Sequence, residues 1–129
     1  LLELSKNNKI ILVYPIPELG WAPNNQIYNQ WVKQRFTKNL NLVNVTTSYQ
    51  VYKDRTKSSF ELLDSIQGDN IFRVYPHTLF CDTTIKNRCV THDDKNIFYY
   101  DDDHPSSKGT EMINDLIMKE IEKIELKFN

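Results

Sequence analysis

Apolar residues fall along this chain in two patterns. The first is the unbroken run. Ile10, Ile11, Leu12, Val13 and Tyr14 follow one another with no polar interruption, as in a strand covered on both faces in a parallel sheet. Ile71, Phe72, Val74 and Tyr75 form a similar run around Arg73, closed by Pro76, and predict a second buried or half-buried strand. Residues 96–100 (Asn-Ile-Phe-Tyr-Tyr) predict a short aromatic strand. The second pattern has helical spacing. Ile27, Tyr28, Trp31, Val32, Arg35 and Phe36 predict a helix over about 24–38 whose stripe faces a core. Tyr49, Tyr52, Thr56, Phe60, Leu63 and Ile66 predict a helix over about 47–66, stopped by Gly68. Met112, Ile113, Leu116, Ile117, Ile121 and Ile124 predict a long last helix, capped by Ser106 or Ser107 and ending near Phe128.

Between these elements lie loops. Pro15-Ile16-Pro17-Glu18-Leu19-Gly20-Trp21 follows the first strand, and in open α/β sheets the strand C-termini carry the ligand site. Residues 40–45 read as a short strand or linker, and 79–95 as polar and irregular. His77, just past the second strand, reads as an exposed loop histidine. The order is therefore strand, helix, helix, strand, loop, short strand, helix. It predicts one α/β layered unit with a parallel sheet and flanking helices. Two or three strands are few for these helices. Leu1, Leu2 and Leu4 open the chain as if at the end of a helix, with no initiating Met. We therefore expect a part of a longer protein.

Bulk properties narrow this picture. The chain has 129 residues, enough for one core. A net charge of -1 offers no field for nucleic acid or an anionic membrane. The apolar runs fall far short of the roughly 20 residues needed to span a bilayer. Cys81 and Cys89 are eight apart. They read either as free thiols or as a bridge formed in an oxidising compartment.

The chemistry concentrates at Tyr99-Tyr100-Asp101-Asp102-Asp103-His104, followed by Ser106 and Gly109. A catalytic imidazole needs a carboxylate on one nitrogen, so that the other is left as the base. Asp101 is three residues before His104, a spacing that lets both side chains curl to one side of a turn. Asp102 or Asp103 could serve instead. Three carboxylates would also favour the charged imidazole. Two other readings stand beside this one. An acidic turn also suits the positive end of a helix dipole. Asp101, Asp103 and His104, with Asp93 and Asp94, could ligate a cation.

This stretch resembles the last conserved block of SGNH hydrolases. More narrowly, it is similar to the SGNH domain at the C-terminal end of acyltransferase-3 type membrane acyltransferases. Pro15-Ile16-Pro17-Glu18-Leu19-Gly20 and the two cysteines match that subfamily in order. The family reads His-Leu-Ser where this chain has His104-Pro105-Ser106. The resemblance implies an SGNH or flavodoxin-like parallel sheet, of which residues 1–129 are the C-terminal portion. It implies that Asp101 and His104 are catalytic, that Cys81 and Cys89 are bridged, and that no cofactor is used. It also implies a nucleophilic serine in a Gly-Asp-Ser motif. Gly20, Gly68 and Gly109 have no Asp-Ser after them, so the serine is expected upstream. The implied reaction is O-acyl transfer to a surface polysaccharide, or ester hydrolysis. The acyl donor would arrive through an integral-membrane domain, and the domain would sit in the periplasm with its parent in a bacterial inner membrane. The alternative is a noncatalytic carbohydrate-binding module using Trp21, Tyr14 and Tyr75.

Overall fold

The computed structural model describes residues 1–37 and 45–128. The elements are α1 (Leu2–Ser5), β1 (Ile10–Val13), α2 (Pro23–Thr37), β2 (Thr46–Ser48), α3 (Tyr49–Ser65), β3 (Ile71–Val74), a 3-10 turn (Pro76–Leu79), β4 (Arg88–Val90) and α4 (Ser107–Phe128). The two unbroken apolar runs are β1 and β3. They pair in parallel, Ile10 opposite Ile71 through Val13 opposite Val74. The crossover between them carries α2, β2 and α3. The result is a mixed α/β unit with a parallel sheet and flanking helices. The described part of 40–45 is Val45 alone.

α3 covers one face of the sheet. Leu12, Tyr14 and Ile71 pack there with Phe60, Leu63 and Ile66. The other face of β1 is only partly covered, and Val13 is 45% exposed. The expectation of a strand buried on both faces therefore holds for one face only. A polar network locks the covered side. The Tyr14 hydroxyl donates to Asp64 Oδ1 at 2.5 Å, and Arg73 Nε donates to the same hydroxyl at 3.2 Å. Arg73 also reaches the Ile66 carbonyl. Burial and the bond to Asp64 push the Tyr14 phenol up to about 12.

A second core lies under the start of α4. Leu19, Phe80, Val90, Phe98 and Tyr99 are buried there, with Met112, Ile113 and Trp21 packed against them. Ile124, further along the same helix, is also buried. α2 departs from its predicted stripe. Ile27 is buried, but Tyr28 is 64% exposed.

Three local expectations are corrected. Residues 46–48 form β2, antiparallel to β4, rather than the first turn of α3. The reason is the cap: Ser48 is extended and its hydroxyl accepts from the Val51 amide. The segment 79–95 contains a strand, β4, because Thr46–Ser48 offers it a partner. Residues 96–100 are not a strand. They are held by isolated pairings, His92 with Ile97 and Tyr99 with Pro105.

Candidate active site

The Asp/His loop leaves the second core at Tyr99 and re-enters it at Ser106. Its ends are fixed by backbone bonds from Phe98 N to Thr91 O (2.8 Å) and Ser106 N to Phe98 O (2.9 Å). Ser106 is the residue that caps α4. Its hydroxyl accepts from Gly109 N at 3.1 Å and donates to Ile97 O at 2.6 Å. Gly109 is required by close approach, since a Cβ there would lie 2.1 Å from the Phe98 carbonyl oxygen. The loop tip is tied to the β1–α2 loop, where Gly20 takes a left-handed turn (φ 74°), and to the first turn of α2. Leu19 N donates to Asp102 O at 2.7 Å, and Asn24 Nδ2 donates to Tyr100 O at 2.9 Å. Gly109 and the Pro15–Gly20 stretch that contains Leu19 were marked in the sequence, but their contacts were not, and Asn24 was not singled out at all. Their partners are distant along the chain or are backbone atoms, and residue type alone does not announce either.

Within this frame Asp101 and His104 meet. Both Asp101 oxygens lie 3.0 Å from His104 Nδ1. Asp101 Oδ1 also accepts from the backbone amides of His104 (2.8 Å) and Asp103 (3.1 Å). Those amide bonds, the His104 one foremost, hold the Asp101 carboxyl down at about 2. Asp103 Oδ1 is 2.8 Å from the same imidazole nitrogen. Asp102 contributes its backbone carbonyl to the loop anchor. The bond to Asp101, then the charges of Asp101 and Asp103, raise the His104 pKa. A carboxylate on Nδ1 fixes the proton there and leaves Nε2 as the free base.

Of the three carboxylates, Asp101 is the one anchored by amides, and its side chain is 36% exposed against 53% for Asp103. Asp101, Asp103 and His104 also offer ligand atoms within 4.8 Å of one another. The same closeness follows from two carboxylates sharing one imidazole nitrogen. Asp93 is not part of this group: its carboxylate caps a separate turn through the amides of Lys95 and Asn96.

The other expected residues are placed as follows. Cys81 and Cys89 are bonded (S–S 2.01 Å) and buried. Tyr14 is 2% exposed. Tyr75 packs on Tyr14, and Trp21 packs on the second core. Tyr14 therefore offers no stacking surface, while Trp21 and Tyr75 are partly buried. His77 is not an exposed loop residue either. It is half-buried among aromatic rings, and burial lowers its pKa.

The arrangement of a strand-end loop, a carboxylate three residues before a histidine and a helix start matches a known pattern over nearly the whole chain. The family model for the SGNH domain fused to AT3 domains covers residues 1–119. The chain belongs to this family. Neither the curated proteins nor the solved structures contain a match to the chain. SGNH membership makes it a module of an acyl-transfer or ester-hydrolysis protein. Among the described residues, no helix is long and apolar enough to cross a membrane.

Proposed function

We propose that residues 1–129 are the C-terminal portion of an SGNH domain that transfers acyl groups to a cell-surface polysaccharide, with Asp101 and His104 as two members of its catalytic triad. The nucleophilic serine lies upstream in the parent protein. The observation that carries the reading is the anchored Asp101 carboxylate on His104 Nδ1. In the first half-reaction His104 Nε2 takes the proton of the serine hydroxyl as the oxygen attacks the acyl donor. It then returns that proton to the leaving group. In the second half, Nε2 takes the proton of a sugar hydroxyl, which attacks the acyl-serine, and the proton passes back to the serine oxygen. Asp101 holds the ring and stabilises the imidazolium.

Two features support a site completed by more of the parent. β1 bonds only to β3 among the described residues, and a two-stranded parallel sheet is below the usual size. A further strand would pair with the open edge of β1, and an element packed on the face opposite α3 would cover Val13. The Cys81–Cys89 bridge supports an extracytoplasmic position, on the periplasmic side of a bacterial inner membrane. The acyl group would be delivered by the fused membrane domain.

The test is His104→Ala in the full AT3-fused protein. Acyl transfer should fall by about 10²–10⁴-fold, the usual contribution of a general base. The fold of the domain should be unchanged, because the His104 side chain is 71% exposed. Normal transfer in a folded variant would contradict the proposal.

A further inference from the structure

The two arms of the Asp/His loop start as an antiparallel pair in which Tyr99 faces Pro105. The bonds on either side of that pair run from Ser106 N to Phe98 O (2.9 Å) and from Tyr100 N to His104 O (2.8 Å). In a regular ladder the next two facing residues, Tyr100 and His104, would exchange both of their bonds. Here they share one. In place of the return bond, His104 N donates to Asp101 Oδ1 at 2.8 Å, and Tyr100 O accepts from Asn24 Nδ2 at 2.9 Å. Each half of the ladder bond has been taken over by a side chain, one from the loop and one from α2.

The exchange bears on the site because His104 has one amide proton and two acceptors within reach of the turn. When that proton is on Asp101, the same carboxylate also lies 3.0 Å from His104 Nδ1. Asn24 is well placed to decide between the acceptors. Pro23 before it and Ile27 after it are buried, so the start of α2 is pinned on both sides. Its amide orientation follows from its two partners, since Oδ1 accepts from Asn25 N at 2.9 Å while Nδ2 faces the Tyr100 carbonyl. Together with the bond from Leu19 N to Asp102 O (2.7 Å), it occupies the carbonyls of the residues on both sides of Asp101.

We propose that Asn24 is a positioning residue: by occupying the Tyr100 carbonyl it leaves the His104 amide to Asp101, and so keeps that carboxylate on the imidazole. Without Asn24, Tyr100 O draws His104 N back into a regular hairpin pair. Asp101 Oδ1 then loses the shorter of its two amide bonds, 2.8 Å against 3.1 Å to Asp103 N. That is also the bond foremost in holding the Asp101 carboxyl low. The inference rests on the triad reading only in making the Asp101–His104 pair catalytic.

The test is Asn24→Ala, read by NMR titration of the Asp101 carboxyl and the His104 imidazole in the full chain. Asp101 should rise from about 2 toward the ordinary value of about 3.9, and His104 should fall toward about 6.5. Asn25→Ala removes an exposed amide from the same turn of α2 and should move neither group. In the full AT3-fused protein, Asn24→Ala should lower the transfer rate at saturating substrates roughly tenfold with KM nearly unchanged, as expected for a displaced base. Unchanged titrations of both groups in a folded Asn24→Ala chain would overturn the proposal. So would equal changes in Asn25→Ala, or a loss of transfer carried by KM alone. Shifted titrations in Asn24→Ala together with normal transfer by the His104→Ala parent would keep the positioning and remove the triad reading.

Discussion

His77 and His104 are the same residue under opposite conditions. His104 sits on an exposed loop with carboxylates of Asp101 and Asp103 on one nitrogen, and its pKa is raised. His77 sits among aromatic rings with one nitrogen sealed and unpaired, and its pKa is lowered. The hydrogen bond to Asp101, with the charges of Asp101 and Asp103 behind it, governs the first and desolvation the second. The difference separates a ring prepared to take up a proton from one kept neutral as part of a wall. A third histidine, His92, makes the contrast plain. Both its nitrogens are taken up by backbone groups, Nε2 accepting from Val45 N and Nδ1 bonding Asp93 O.

The two regions are stabilised by different devices, so they can be disturbed separately. The largest expected effect is on the His77 side. Replacing both Cys81 and Cys89 by Ala should cost about 2–3 kcal/mol in chemical denaturation, the usual scale for a bridge closing a short loop. Such a variant should leave the His104 titration unchanged. A shifted His104 pKa would mean that the two regions are coupled. On the His104 side, Gly109→Ala forces a methyl onto the Phe98 carbonyl. It should cost about 2 kcal/mol and displace the loop. Ser106→Ala removes the cap and the bond to Ile97, and about 1 kcal/mol should be lost. Loss of the raised His104 pKa in either variant, with the aromatic cluster around His77 intact, would sharpen the comparison.

The smallest effect is the pH dependence of stability, and its sign differs between the two rings. The folded pKa of His104 is raised, so its bond to Asp101 stabilises fully below the unfolded value of about 6.5. That contribution is lost as pH rises through the folded pKa. Asp101 is depressed to about 2. Its contribution is present above the unfolded value of about 3.9 and is lost as pH falls through about 2. His77 is also depressed. Its contribution is present above about 6.5 and is lost as pH falls through its folded value. His77→Phe should therefore flatten the acid side of the stability curve, and His104→Ala the side above about 6.5. The same slope in both variants would contradict the contrast.

The sequence made one of these regions legible and hid the other. Asp101 and His104 are three residues apart, and a local turn is enough to join them. Their resemblance to a family block added to that spacing. The aromatic cluster around His77 is assembled from α3 and a turn after β3, so no local pattern points to it. Its aromatic residues read as a core stripe, and for Tyr52 that reading was right. The strands β1 and β3 were visible because each is an unbroken apolar run. β2 and β4 were not, because each has three residues and depends on the other for pairing. Tyr14, Trp21 and Tyr75 were placed near strand ends correctly, but burial removes Tyr14 from any surface role, and Trp21 and Tyr75 are partly buried.

The central claim is that Asp101 holds His104 as an oriented base, and the direct measurement is the titration of the His104 imidazole by NMR in the full chain and in Asp101→Asn. The account predicts a pKa above the ordinary value of about 6.5 and a clear fall in Asp101→Asn, larger than the fall in Asp103→Asn. An ordinary pKa in the unaltered chain, unchanged by Asp101→Asn, would contradict it.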